Sequence, residues 1–133
     1  NYPSSIKFEI VKTKFLAKVN KDGKIFLLGS NGKLISSNFE NLDLPFIFGN
    51  FRNQDFFQLY QSVKETNLDF KKIKNLFFFQ SRRWDIEMDS GVIIKLPSEN
   101  FKESLNLSMK ILEKKNFKVI DVRQKNQIIT YEN

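Results

Sequence analysis

At 133 residues, 41% of them apolar and 14% aromatic, the chain has the length and composition of one globular domain with a true core rather than a disordered tail. It contains no cysteine and no histidine, which excludes disulfides, thiolate nucleophiles, cysteine or histidine metal sites and any serine–histidine–aspartate arrangement. The formal net charge of +7 favours acidic partners in general without naming one, and it is spread along the chain rather than gathered in one tract. No window approaches the roughly 18 unbroken apolar residues of a membrane span, and no charged-apolar-small signal sequence opens the chain.

In chain order, Ile6, Phe8 and Ile10 alternate with Lys7 and Glu9, the period-2 pattern of a half-buried strand. Residues 15–20 and 24–28 flank Lys21-Asp22-Gly23, where Asp-Gly is a strong hairpin signal. A second turn at Asn31-Gly32 leads into Lys33-Leu34-Ile35, so the opening predicts a β-meander. Residues 42–50 carry Pro45 and Gly49 and are expected to be a connector. Phe56, Leu59, Tyr60 and Val63 then mark one face of a helix expected over 53–66.

Residues 73–80 predict a buried strand. In the next strand Trp84, Ile86 and Met88 face one way, and Asp85, Glu87 and Asp89 the other, because successive strand side chains alternate. Asp89-Ser90-Gly91 turns the chain and residues 92–96 return it. Pro97 ends that strand, and Ser98 or Asn100, the latter with Glu103 in capping-box spacing, can cap a helix over 99–115, whose buried stripe is Phe101, Leu105, Met109 and Leu112. Residues 117–123 and 127–131 are β-rich and joined by a polar turn at 124–126. The fold class expected is α+β: a mostly antiparallel sheet with two main helices.

Four features bear on function. Asp85, Glu87 and Asp89 on one strand face can ligate a hard cation or serve as acid and base, yet same-face strand residues lie about 7 Å apart and no phosphate loop or second acidic cluster accompanies them, so a solvated strand face is the simpler reading. Phe51, Arg52, Phe56, Phe57 and Tyr60 resemble stacking platforms beside phosphate contacts, but Phe56 and Tyr60 fall on the helix's apolar stripe, where a core role is expected. Trp84 reads as core, whereas the adjacent Arg82 and Arg83 are able to clamp a partner's carboxylates. Finally, Gln127-Ile128-Ile129-Thr130-Tyr131 carries three consecutive β-branched residues with no lysine or proline inside the strand; at a sheet edge it would be open to β-augmentation.

The order of these elements, with YPSSIKFEI at 2–10, GKLI at 32–35, LPFIFG at 44–49, RRWDI at 82–86, Gly91, Leu96-Pro97 and IDVR at 120–123, resembles the extracytoplasmic part of the FtsQ/DivIB cell-division proteins. The resemblance covers nearly the whole chain. It implies a single-pass inner-membrane protein with this region in the periplasm, whose anchor is absent from this stretch. It further implies a division into the end of a POTRA-like domain with its junction at 1–35, including the strand at 6–11, and a β domain at 36–133. Family members are divisome scaffolds, not enzymes. They need no cofactor or metal, bind FtsB and FtsL, and help regulate septal wall synthesis, with other division proteins as further partners through the POTRA region and nucleic acid as none. Carried over by position, Arg82, Arg123, Gln124, Lys125, Asn126, Gln127, Ile128, Ile129 and Thr130 match the partner-binding residues; Gln124 and Tyr131 depart from the aromatics that some relatives carry.

Overall fold

The computed structural model describes residues 14–36, 43–124 and 127–132, which form one nine-stranded sheet with two helices. The expected strand at 6–11 lies outside the described residues. Asp22 and Gly23 both take positive φ (54° and 80°), as a two-residue type I′ turn requires, and so close β1 (Phe15–Lys21) on β2 (Lys24–Gly29). Strand β3 (Leu34–Ser36) pairs with β2 and completes the meander.

The expected connector at 42–50 needs a correction. Phe46–Phe48 forms β4, a three-residue strand lying parallel between β1 and β5 (Ile73–Phe78), with Ile47 only 2% exposed. Pro45 and Gly49 hid it, because punctuation on both sides of three apolar residues looks like a loop until strands are found on either flank. Gly49 is needed where β4 leaves the sheet. Its φ is +110°, and a Cβ there would stand 2.1 Å from the Phe78 carbonyl oxygen.

Helix α1 (Asn53–Lys64) carries the chain from β4 to β5, and α2 (Phe101–Lys114) carries it from β7 (Ile93–Lys95) to β8 (Phe117–Asp121). Both connections join parallel neighbours, and both helices lie side by side on one face of the sheet. Between them β6 (Trp84–Met88) pairs antiparallel with β5 and β7, and β9 (Ile129–Glu132) pairs antiparallel with β8. The strand order is β3-β2-β1-β4-β5-β6-β7-β8-β9, mostly antiparallel with three parallel pairs.

Under the helices lie the fully buried Phe56, Leu59, Val63 and Leu105, against Leu76, Ile86, Ile94 and Ile120 of the sheet. Trp84 joins them, 4.8 Å from Phe78 and 6.1 Å from Phe51 between ring centroids. The capping box expected at Asn100 and Glu103 does not form. Asn100 adopts the left-handed conformation (φ 55°) instead of the extended one from which a cap side chain reaches back to the helix, and it makes no side-chain cap bond. Within α2 the buried Ser108 hydroxyl donates instead to the Ser104 carbonyl, 2.8 Å away.

Candidate partner-binding edge

Two sets of residues expected to meet a partner sit at the C-terminal end of the parallel strands. The first is the last strand. Among the described residues β9 pairs with β8 alone and is the edge of the sheet, with Ile129 opposite Asp121 and Thr130 opposite Ile120. No described strand pairs with its far side, the condition for adding another strand. Ile128 is 42% exposed, and with Gln127, Gln124 and Arg123 it forms one wall of a groove of about 720 Å³; Glu103, Ser104 and the exposed Leu107 of α2 form the other. Lys125 and Asn126 lie outside the described residues. The Gln127 N–H donates to the Gln124 carbonyl across their turn, at 3.3 Å.

Arg123 is held in place from within the chain. Its Nε and Nη2 donate to the two oxygens of Asp121 at 2.9 and 2.6 Å, and its own N–H donates to the same carboxylate at 3.1 Å. Asp121 is buried, on the strand next to the edge. The arginine's hydrogen bonds hold the Asp121 carboxyl below the usual carboxylate range against the opposing effect of burial, and the same bonds raise Arg123 above its ordinary value. The guanidinium, 42% exposed, thus stands as a fixed cation beside the edge strand.

Arg82 is the second set, and it is not at that edge. It lies in the turn between β5 and β6 with φ +66°, and its Nη2 donates to Asp55 at 3.1 Å. Asp55, buried in the first turn of α1, also accepts the Arg52 N–H at 2.9 Å. Burial acts to raise the Asp55 carboxyl, but its hydrogen bonds to Arg52 and the charges of Arg52 and Arg82 outweigh this and leave it lowered. Arg82 and Arg123 flank one segment: Ser98 and Glu99, leading into α2, line a small cavity with Arg82 on one side and the groove with Arg123 on the other.

Sequence reasoning missed both aspartates. Asp121, the last residue of β8, and Arg123 are two apart in sequence, and that spacing was a usable signal; Asp55 and Arg82 are 27 residues apart and left none. The reading of Asp85, Glu87 and Asp89 as one wet face also needs correction. Asp85 is buried, bonded to Arg83 at 2.5 Å between Phe77 and Lys95 of the flanking strands, and Glu87 accepts from Asn75 at 2.8 Å. These carboxylates are occupied structurally, and no group of three acidic side chains placed to hold a metal occurs among the described residues. Phe56 is fully buried, while Phe51, Phe57 and Tyr60 pack against the core, so they offer no stacking platform.

Residues 15–123 match the family model described as the C-terminal region of cell division protein FtsQ/DivIB. Over 132 residues the chain is 28% identical to the cell division protein FtsQ of Rickettsia bellii and 25% identical to that of Rickettsia conorii, covering 94% of this chain in each case. It spans about half (49%) of the length of these curated relatives. The fold is similar to the major extracytoplasmic domain of the cell division protein DivIB from Geobacillus stearothermophilus, with a TM-score of 0.55 at 16% identity, covering 76% of this chain and 92% of that one.

Proposed function

Because the chain belongs to the FtsQ/DivIB family of cell-division proteins, we propose that it is a non-enzymatic divisome scaffold that binds FtsB-like and FtsL-like partners by β-augmentation at β9. The observation that carries this reading is that β9 is the sheet edge among the described residues, beside a groove and with Arg123 fixed near it. An added strand gains main-chain hydrogen bonds worth about 1 kcal/mol net each, while the groove and the arginine select side chains and acidic groups. In this reading Arg123, Gln124, Lys125, Asn126, Gln127, Ile128, Ile129 and Thr130 form the main contact. Arg82, already paired with Asp55, offers its remaining N–H groups to an acidic residue of the partner. The region belongs in the periplasm, tethered to the inner membrane by a segment outside this sequence, with residues 1–35 as the end of a POTRA-like part whose β1–β3 run directly into the sheet.

The test is affinity capture from detergent-solubilised membranes with the parent chain beside Ile129→Pro and Thr130→Pro. Neighbouring strand residues point their N–H groups to opposite sides, so one proline removes a bond to β8 and the other a donor on the open side. The variant that keeps its melting curve is expected to lose the FtsB-like partner. Capture of that partner by both folded variants would rule out the edge as the main contact.

A further inference from the structure

Past β8 the helix-covered face of the sheet runs out from under its cover. Thr130 of β9 stands opposite Ile120, a core residue beneath the helices, so it points to the helix side, while Ile129, opposite Asp121, points away. Thr130 is nevertheless exposed. Ile128, two residues before it, lines the groove between the edge and α2.

Two large apolar side chains stand in the walls of that groove, Ile128 at 42% and Leu107 at 40% exposed, and Pro97 and the buried Val122 also line it. Leu107 has no part in the core, since the residues that α2 buries are Leu105 and Ser108. One exposed leucine on a surface is ordinary, but two large apolar groups sharing a groove are less so. Arg123 in the same groove is already held by Asp121, so the apolar pair is the part of the lining that still lacks a partner within the chain.

We propose that Leu107 is a specificity-determining residue of the edge: a strand added to β9 sets an apolar side chain, at its position opposite Ile128, into the groove between Ile128 and Leu107. The inference rests on the edge-strand reading and adds to it a residue of α2. Strand geometry selects the occupant. An added strand lies about 4.8 Å beyond β9, and its residues opposite Ile128 and Thr130 share the helix side with them, in whichever direction the strand runs. Those side chains therefore project over the groove. An apolar one takes itself, Ile128 and Leu107 out of water together, whereas a polar one would lose its own hydration against apolar neighbours. The alternate side chains of the added strand lie beside Ile129 and Tyr131 on the other face, so Leu107 reads one face of the partner strand only.

A strand supplied by the chain itself tests the proposal. The full chain is extended after Asn133 by a glycine and a strand of about six residues, so that Asn133 and the glycine form a hairpin turn and the strand folds back along the open side of β9. Its residue opposite Ile128 is isoleucine in one version and threonine in the other; both are β-branched, so their strand preference is matched and the apolar contact is what differs. Both versions are expected to melt above the parent, the isoleucine version by about 4 °C more than the threonine version. Leu107→Ser is expected to erase that difference while keeping the gain common to both, and Leu107→Met to retain it. Equal gains from isoleucine and threonine, or a difference that survives Leu107→Ser, overturn the proposal and leave the edge-strand reading standing. If neither version raises the melting temperature or protects the β9 amides from hydrogen exchange, the edge accepts no strand, and the proposal falls together with that reading.

Discussion

At the scale of single residues, two buried aspartates hold two arginines of the candidate contact surface, Asp121 holding Arg123 beside the edge and Asp55 holding Arg82 away from it. Asp121 makes three hydrogen bonds to Arg123, and in Asp121→Asn the bidentate charge-assisted pair becomes at best one neutral bond beside an unpaired guanidinium. The expected loss is about 1–2 kcal/mol, because the arginine end is partly solvated, and a thermal melt at neutral pH should show it as a fall of several degrees. The pH dependence has a definite sign. A carboxyl lowered in the folded state contributes stability that is present above the unfolded value of 3.8 and is lost as pH falls through the folded value. Asp55 acts in the same direction. The gap in melting temperature between parent and Asp121→Asn should therefore be constant at neutral pH and narrow below about pH 3.8; a gap that widened on acidification would contradict the assignment. The Asp121–Arg123 pair was within reach of sequence reading because the two residues are only two apart, at the end of β8 and just beyond it. The Asp55–Arg82 pair was not, since helix α1 and the β5–β6 turn must first be brought together by folding.

Among the elements, β4 shows how local signals mislead. Its three residues, Phe46-Ile47-Phe48, favour strands, but a run of three set between Pro45 and Gly49 cannot be told from a loop by local pattern, and its place is fixed by hydrogen bonding to β1 and β5 on both sides. The exit from β4 depends on Gly49. Gly49→Ala places a methyl group 2.1 Å from the Phe78 carbonyl oxygen at a φ of +110°, and it is expected to cost several kcal/mol and lower the denaturation midpoint sharply. Gly23→Ala meets no atom within 4 Å and carries only the strain of its positive φ, so its loss should be clearly smaller in the same urea titration. A similar cost for both would mean that crowding at Phe78 does not govern the turn. The Asp22-Gly23 hairpin and both helical stripes, by contrast, were legible, since turn chemistry and 3.6-residue periodicity are properties of neighbouring residues. The cap at Asn100 was misjudged because spacing specifies which side chains can reach, while the backbone conformation decides whether they do.

For the whole molecule, one sheet and one continuous core under two helices predict a single cooperative transition. Trp84, the chain's single tryptophan, is 3% exposed in that core, so its fluorescence and the far-ultraviolet circular dichroism should trace the same urea curve; two separated transitions would show that β1–β3 unfold apart from the rest. Removing residues 127–133 exposes β8 as a new edge but takes away no buried side chain among the described residues 127–132, so the truncated chain should still fold while losing partner capture. The sequence by itself determined what neighbouring residues decide: the turns, the amphipathic stripes, the α+β class and the adhesive character of the last strand. Only the tertiary structure decided that this strand lies at an edge, that β4 is a strand at all, that Asp85 is buried between its neighbours, and that Arg82 is tied to Asp55. Each of these depends on residues distant in the chain being brought together, and burial and hydrogen-bond partners are set by those contacts rather than by local pattern.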